Sequence, residues 1–207
     1  MLLYAITERR KLRSGLAGFI ENTARAGVDR VQIREKDLLD SALYEVVREA
    51  ISRTRTTRVR VLVNGRPDIA VAARAHGVHL PSDSLSVSSV RKVTPPGFLV
   101  GVSCHKIDEV ERAASEGADF AVFGPVFDTP SKRGFGPPAG LSELERVCAA
   151  VRMPVLALGG VTSANARLCI EAGAAGLAGI RLFQSARSLG ALVRDLKAIR
   201  KKDSVAK

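Results

Sequence analysis

Short runs of apolar residues recur along the chain, and between them the apolar positions spread to the three- and four-residue spacing of a helix face. LLYAIT (2–7) is the first run and precedes a helix over about residues 12–25. The second, 28–34, leads to Leu43, Val46, Val47, Ala50 and Ile51 on one stripe, capped by Asp40 or Ser41. Residues 61–64 form the third, after which Pro67 falls in a first helical turn, where its missing N–H is tolerated. A very short fourth run, Gly77–Leu80, leads to a weak helix near 86–92. The fifth, 98–104, is followed by a helix striped by Ile107, Val110, Ala113 and Ala114. The sixth, 120–127, opens onto a polar loop rich in Pro and Gly over 128–140, long enough to suggest function. Leu144, Val147 and Cys148 then face inward from a sixth helix.

The seventh unit begins at PVLALGG (154–160), a run stopped by Gly159 and Gly160. Thr162 and Ser163 are N-cap types, Ala164, Leu168, Cys169 and Ala172 stripe the helix, and Gly173 closes it. The eighth strand is expected over 177–182, before a last helix striped by Ala186, Leu189, Leu192, Val193, Leu196 and Ile199. Strand and helix alternating eight times without a linker predict an α/β protein, a single (β/α)8 TIM barrel over residues 1–200 with a charged tail at 201–207. In such a barrel the chemistry lies at the C-terminal ends of the strands. Paired glycines there leave backbone N–H groups uncovered for a phosphate, although a tight turn alone also accounts for Gly159 and Gly160.

Composition narrows the picture in three ways. The 207 residues are 46% apolar and lack Trp, enough for one aliphatic core. No apolar run reaches membrane-spanning length, and Met1 leads straight into a strand, not into a signal peptide. Cys104, Cys148 and Cys169 lack metal-ligand spacing and read as free thiols of a reducing, cytoplasmic compartment. The formal charge of +11 could mark a nucleic-acid partner, but the arginines are dispersed and have no interleaved aromatics to stack bases. A basic surface that attracts phosphorylated metabolites fits better, with no nucleic acid and no membrane as partner. Oligomeric state is left open, a homo-oligomer included.

The strand ends carry VQIREK (31–36), VNGRPDIA (63–70), GVHLPSD (77–83), GVSCH (101–105), ADFAVFGPVFDTPSK (118–132), ALGGV (157–161) and AGIRLF (178–183). Together, in this order, they resemble the thiamine phosphate synthase superfamily, which also contains the thiazole tautomerases. The synthases join a pyrimidine pyrophosphate to a thiazole phosphate and release pyrophosphate. The resemblance implies that Gln32, Arg34 and Lys36, with Asn64 and Ser103, meet the pyrimidine and its pyrophosphate. It implies that Thr129, Ser131 and Lys132 lie at the thiazole, and that Gly159, Gly160, Ile180 and Arg181 cup its phosphate. Cationic side chains and backbone amides suit those anions. The structural alternative for Arg34 and Lys36 is an ion pair with Glu35, Asp37 or Asp40.

Two departures bear on the reaction. The synthases hold Mg²⁺ with one aspartate after the asparagine and another in the turn after strand four, and this chain has Gly65 and Ser84 there, with Asp83 adjacent. Those positions are similar to the tautomerase branch, although the histidine of that branch near the end of strand six is replaced by Pro125. The sequence expectation is therefore a tautomerase-like isomerase of thiazole phosphate that needs no cofactor, with His105 and Lys132 as the proton-moving candidates. His105 also suits a role in orienting the fifth helix, and His79 that of a core histidine bonded to backbone. The alternative is a synthase recruiting Mg²⁺ through Asp83, water and the substrate phosphates. A non-catalytic binder of phosphorylated ligands is the second alternative.

Overall fold

In the computed structural model, which describes residues 1–12, 15–129 and 137–199, the eight apolar runs lie side by side as parallel strands. They are β1 (Leu2–Ile6), β2 (Arg30–Ile33), β3 (Arg60–Asn64), β4 (Gly77–Leu80), β5 (Leu99–Cys104), β6 (Phe120–Phe123), β7 (Val155–Ala157) and β8 (Gly176–Gly179). Their order around the sheet is their order in the chain, and β8 pairs with β1 to close the barrel. Nine α-helices occur among the described residues, besides a 3₁₀ turn at Arg9–Lys11: α1 (Gly15–Arg25), α2 (Asp40–Thr54), α3 (Pro67–Ala72), α4 (Val87–Arg91), α5 (Ile107–Ser115), α6 (Gly140–Ala150), α7 (Ala166–Glu171), α8 (Arg181–Gln184) and α9 (Leu189–Lys197). Pro67 opens α3 as expected, and the Ser86 hydroxyl caps α4 by accepting from the Ser89 N–H at 3.2 Å.

Alternation along each strand sorts the side chains into two cores. Leu3, Ala5, Val31, Ile33, Val61 and Val63 point outward into the layer shared with the helices. Tyr4, Ile6, Leu62, Phe120, Val122, Leu156 and Ala178 form a separate cluster inside the barrel. The lower part of that interior is filled by rings: Tyr4 meets Phe120 edge-on, with centroids 5.4 Å apart, and the Arg30 guanidinium lies 4.2 Å from the Phe120 centroid. Gly101 makes this packing fit, since a Cβ there would stand 2.2 Å from the end of the Phe120 ring. The interior is thus plugged toward the N-terminal ends of the strands by these rings and Arg30, whereas Gln32, Asn64, His79 and Ser103 lie toward the other end.

Three boundaries differ from the sequence expectation. The sixth strand ends at Phe123, not at residue 127, because Pro125 has no N–H to continue the ladder. Val126 and Phe127 instead donate to the carbonyls of Leu158 and Gly159 at 2.8 and 3.0 Å. The eighth strand ends at Gly179, and Arg181 to Gln184 coil into α8 in place of extended chain. Neither Thr162 nor Ser163 caps the seventh helix directly; Thr162 and Asn165 exchange bonds in a turn, and α7 starts at Ala166.

Candidate active site

Four adjacent strands each send one polar side chain inward at the C-terminal mouth. Gln32 on β2 donates from Nε2 to Asn64 Oδ1 on β3 at 2.9 Å. His79 on β4 lies 2.9 Å, through Nε2, from Ser103 Oγ on β5. Gln32 and His79 are almost fully buried, whereas Asn64 and Ser103 are half-buried and border the opening. Burial, with a smaller push from the Arg34 charge, drives the His79 pKa down to about 3, so its imidazole is neutral.

The loop after β2 explains how Arg34 and Lys36 are kept available. Glu35 turns outward and is buried, accepting from Thr7 Oγ1 at 2.6 Å and from the Arg9 N–H at 2.9 Å. The Arg34 N–H donates to the same threonine oxygen at 3.0 Å, which locks the loop to the end of β1. Asp37 is taken by Arg9 at 2.6 Å and by Arg10 at 2.9 Å. Asp40 and Asp68 both grip Arg66, whose pKa rises through these hydrogen bonds while theirs fall. The three carboxylates nearest in sequence, Glu35, Asp37 and Asp40, are thus engaged by Arg9, Arg10 and Arg66. Neither Arg34 nor Lys36 enters an ion pair among the described residues, and the structural alternative for them is set aside.

At the opposite side of the mouth, Gly159 and Gly160 follow β7 with φ of 91° and 66°. Their lack of a side chain is needed for packing as well as for conformation. A Cβ on Gly160 would lie 2.6 Å from Phe127 Cβ and 2.7 Å from the Asp128 carbonyl, and one on Gly159 would lie 2.6 Å from Pro125 Cα. Ile180 caps α8, and Arg181 donates from Nη2 to the buried Thr129 Oγ1 at 2.9 Å. Thr129 and Arg181, 52 residues apart in the chain, are therefore brought together. Ser131 and Lys132 lie outside the described residues.

His105 sits at the entry to α5. Its N–H donates to Glu109 Oε2 at 2.6 Å, and its Nδ1 must donate to the Gly124 carbonyl at 2.5 Å, because a carbonyl only accepts. The ring thus ties the ends of β5 and β6 together, and among the described residues only its Nε2 lacks a partner. His79 was assigned to the core from sequence, yet its partner is the Ser103 side chain and not backbone. The available signal was alternation, which sets His79 beside Asn64 in the β3–β4 register.

The donor set does not fit a protein-held Mg²⁺. Among the described residues no group of three or more His, Cys, Asp or Glu could hold a metal ion. Gly65 and Ser84 carry no carboxylate, and Asp83 is exposed in the turn after β4.

A family model described as thiamine monophosphate synthase matches residues 3–183. The chain belongs to the thiamine monophosphate synthase family. Over 181 residues it is 42% identical to a putative thiamine-phosphate synthase 2 of Aquifex aeolicus, covering 87% of this chain and 96% of that one. It is 38% identical over 204 residues to a thiamine-phosphate synthase of Methanoculleus marisnigri, covering 94% and 93%. The solved thiamine phosphate pyrophosphorylase from Pyrococcus furiosus superposes with a TM-score of 0.85 at 28% identity, over 96% of this chain and 94% of that one. A 3-hexulose-6-phosphate synthase shares the fold, with a TM-score of 0.72 at 19% identity. These family members bear the name of the synthase, so the sequence-based preference for a tautomerase loses its support and an enzyme of thiamine biosynthesis of the transferase type takes its place. No helix among the described residues is long and apolar enough to cross a membrane.

Proposed function

We infer that the protein is a thiamine phosphate synthase, joining a pyrimidine pyrophosphate to a thiazole phosphate with release of pyrophosphate. One observation carries this reading: among the described residues Arg34 and Lys36, on the loop that follows Gln32, enter no ion pair, while Glu35, Asp37 and Asp40 are engaged by other arginines. An isomerase of thiazole phosphate alone has no use for a second cationic pair next to a polar floor. A transferase does, because the bond from the pyrimidine methylene carbon to the pyrophosphate breaks with its electron pair leaving on the phosphate oxygen.

In this reading Gln32, Asn64 and Ser103 orient the pyrimidine, and Arg34 and Lys36 stabilise the charge that grows on the departing pyrophosphate. The backbone around Gly159, Gly160 and Ile180, with Arg181 held by Thr129, receives the phosphate of the thiazole. Ser131 and Lys132, with Thr129, meet the thiazole in this reading, as the resemblance implies. With transfer in place of isomerisation, His105 acts by fixing the ends of β5 and β6, through its bond to Gly124.

The test is direct: purified protein receives both substrates and Mg²⁺, and thiamine phosphate and pyrophosphate are quantified together. Equimolar formation of both supports the reading. Ligand binding without turnover would instead mark a non-catalytic binder.

A further inference from the structure

The His79–Ser103 contact has two arrangements, and they present different chemistry to a ligand. A neutral imidazole carries a single N–H. With the hydrogen on Nε2, His79 donates to Ser103 Oγ and the serine keeps its own hydrogen for another partner. With the hydrogen on Nδ1, His79 Nε2 accepts the serine hydrogen, and Ser103 offers only lone pairs.

The other ring nitrogen decides between them. His79 Nδ1 is buried and has no hydrogen-bond partner among the described residues, and the residue is only 2% exposed. Its surroundings are the Tyr4 and Phe120 rings, with centroids 5.7 and 5.9 Å away. A buried N–H without an acceptor is among the rarest features of folded proteins, whereas an under-used acceptor is better tolerated. The Nδ1–H form would strand a donor against those rings; the Nε2–H form strands only a lone pair.

We propose that His79 is a positioning residue: its Nε2–H donates to Ser103 Oγ, so that the serine hydroxyl is held as a hydrogen-bond donor toward an acceptor atom of the pyrimidine pyrophosphate. The ligand half of this rests on the functional reading above, whereas the tautomer concerns the protein alone. Ser103 has no other hydrogen-bond partner among the described residues, so its hydrogen is free to turn into the mouth. The neighbouring pair extends the pattern: Gln32 Nε2 is spent on Asn64 Oδ1, which leaves the Gln32 oxygen as an acceptor and the Asn64 nitrogen as a donor.

Two measurements test the proposal. The chain has three histidines. A ¹⁵N-edited imidazole spectrum of the ligand-free protein, assigned with His76→Gln and His105→Gln, reports which nitrogen of His79 is protonated. His79 should show the Nε2–H pattern, as should His76, whose Nδ1 accepts from the Val61 N–H at 3.1 Å. An Nδ1–H pattern for His79 would overturn the proposal without reference to any ligand. The second measurement is a double-mutant cycle read by calorimetry with the pyrimidine pyrophosphate. Ser103→Ala and His79→Phe should each weaken binding by about tenfold, the second change should add less than about twofold to the first, and His79→Gln should recover part of the loss. Additive losses, or a lowered melting temperature with unchanged affinity in His79→Phe, would show a role in stability only and overturn the proposal. Failure of the wild-type protein to bind would overturn the functional reading and the ligand half with it, leaving the tautomer to the spectrum.

Discussion

Arg34 and Lys36 owe their availability to where their neighbours' charges go. In the sequence, Glu35, Asp37 and Asp40 are the obvious partners for them. In the fold, those carboxylates meet Arg9, Arg10 and Arg66, cations 26 to 28 positions from their partners and brought near by β1 beside β2 and α2 beside α3. Replacing Arg34 or Lys36 by Ala should therefore lower kcat/KM by roughly a hundredfold, with the melting temperature nearly unchanged. Arg66→Ala, which removes an exposed cation already held by Asp40 and Asp68, should leave kcat/KM within about twofold of wild type. Steady-state kinetics on the three variants separates the two classes of arginine. His79 supplies a pH signature. The folded protein keeps it neutral down to about pH 3, whereas the unfolded chain protonates it near 6.5. The unfolded state then binds the extra proton, so stability is full above that value and declines as pH falls. His76, also lowered by burial and by Arg60, contributes with the same sign. Urea denaturation at successive pH values from about 6.5 to 5 should give a shallower decline for His79→Gln than for wild type.

At the scale of elements, the barrel was legible because eight apolar runs and their following stripes have unmistakable periods, and closure follows from their number. Strand ends were less legible. Val126, Phe127, Leu182 and Phe183 are apolar because they pack against the core from loop and helix, so hydrophobicity alone extended β6 and β8 too far. Motif order sets Arg34, Lys36 and Arg181 just past strand ends, where the structure has them, but the bond between Arg181 and Thr129 needs the β6 loop laid across β8. Gly160 was read as a phosphate cradle, and the structure adds a packing duty under Phe127 and Asp128. Gly160→Leu should consequently cost about 1–3 kcal/mol of stability through strained φ and displaced loop backbone, beyond any loss of ligand binding. Arg181→Ala leaves that packing intact and should weaken thiazole phosphate binding by about tenfold while the melting temperature holds. Calorimetry and thermal melts on both variants distinguish the two contributions.

For the whole molecule, a surplus of 32 Lys and Arg over 21 Asp and Glu suits phosphorylated substrates, and Glu35, Asp37, Asp40 and Asp68 are used to hold arginines. No carboxylate remains at Gly65 or Ser84 to bind a divalent cation before substrate arrives. Titration of Mg²⁺ into the free protein should show no tight stoichiometric site. Gly65 has φ of 67°, a region Asp tolerates better than most residues, and a Cβ there meets only Pro81 at 3.6 Å. Gly65→Asp should thus fold and should raise the rate at limiting Mg²⁺. The account as a whole turns on transfer as the reaction. Its most direct test is to supply the pyrimidine pyrophosphate, the thiazole phosphate and Mg²⁺ and to follow pyrophosphate and thiamine phosphate in one time course. Equimolar release of both, abolished by omission of either substrate and strongly reduced in Arg34→Ala, is the predicted result. A shifted double bond in thiazole phosphate supplied alone, with no thiamine phosphate when both substrates are present, would contradict it.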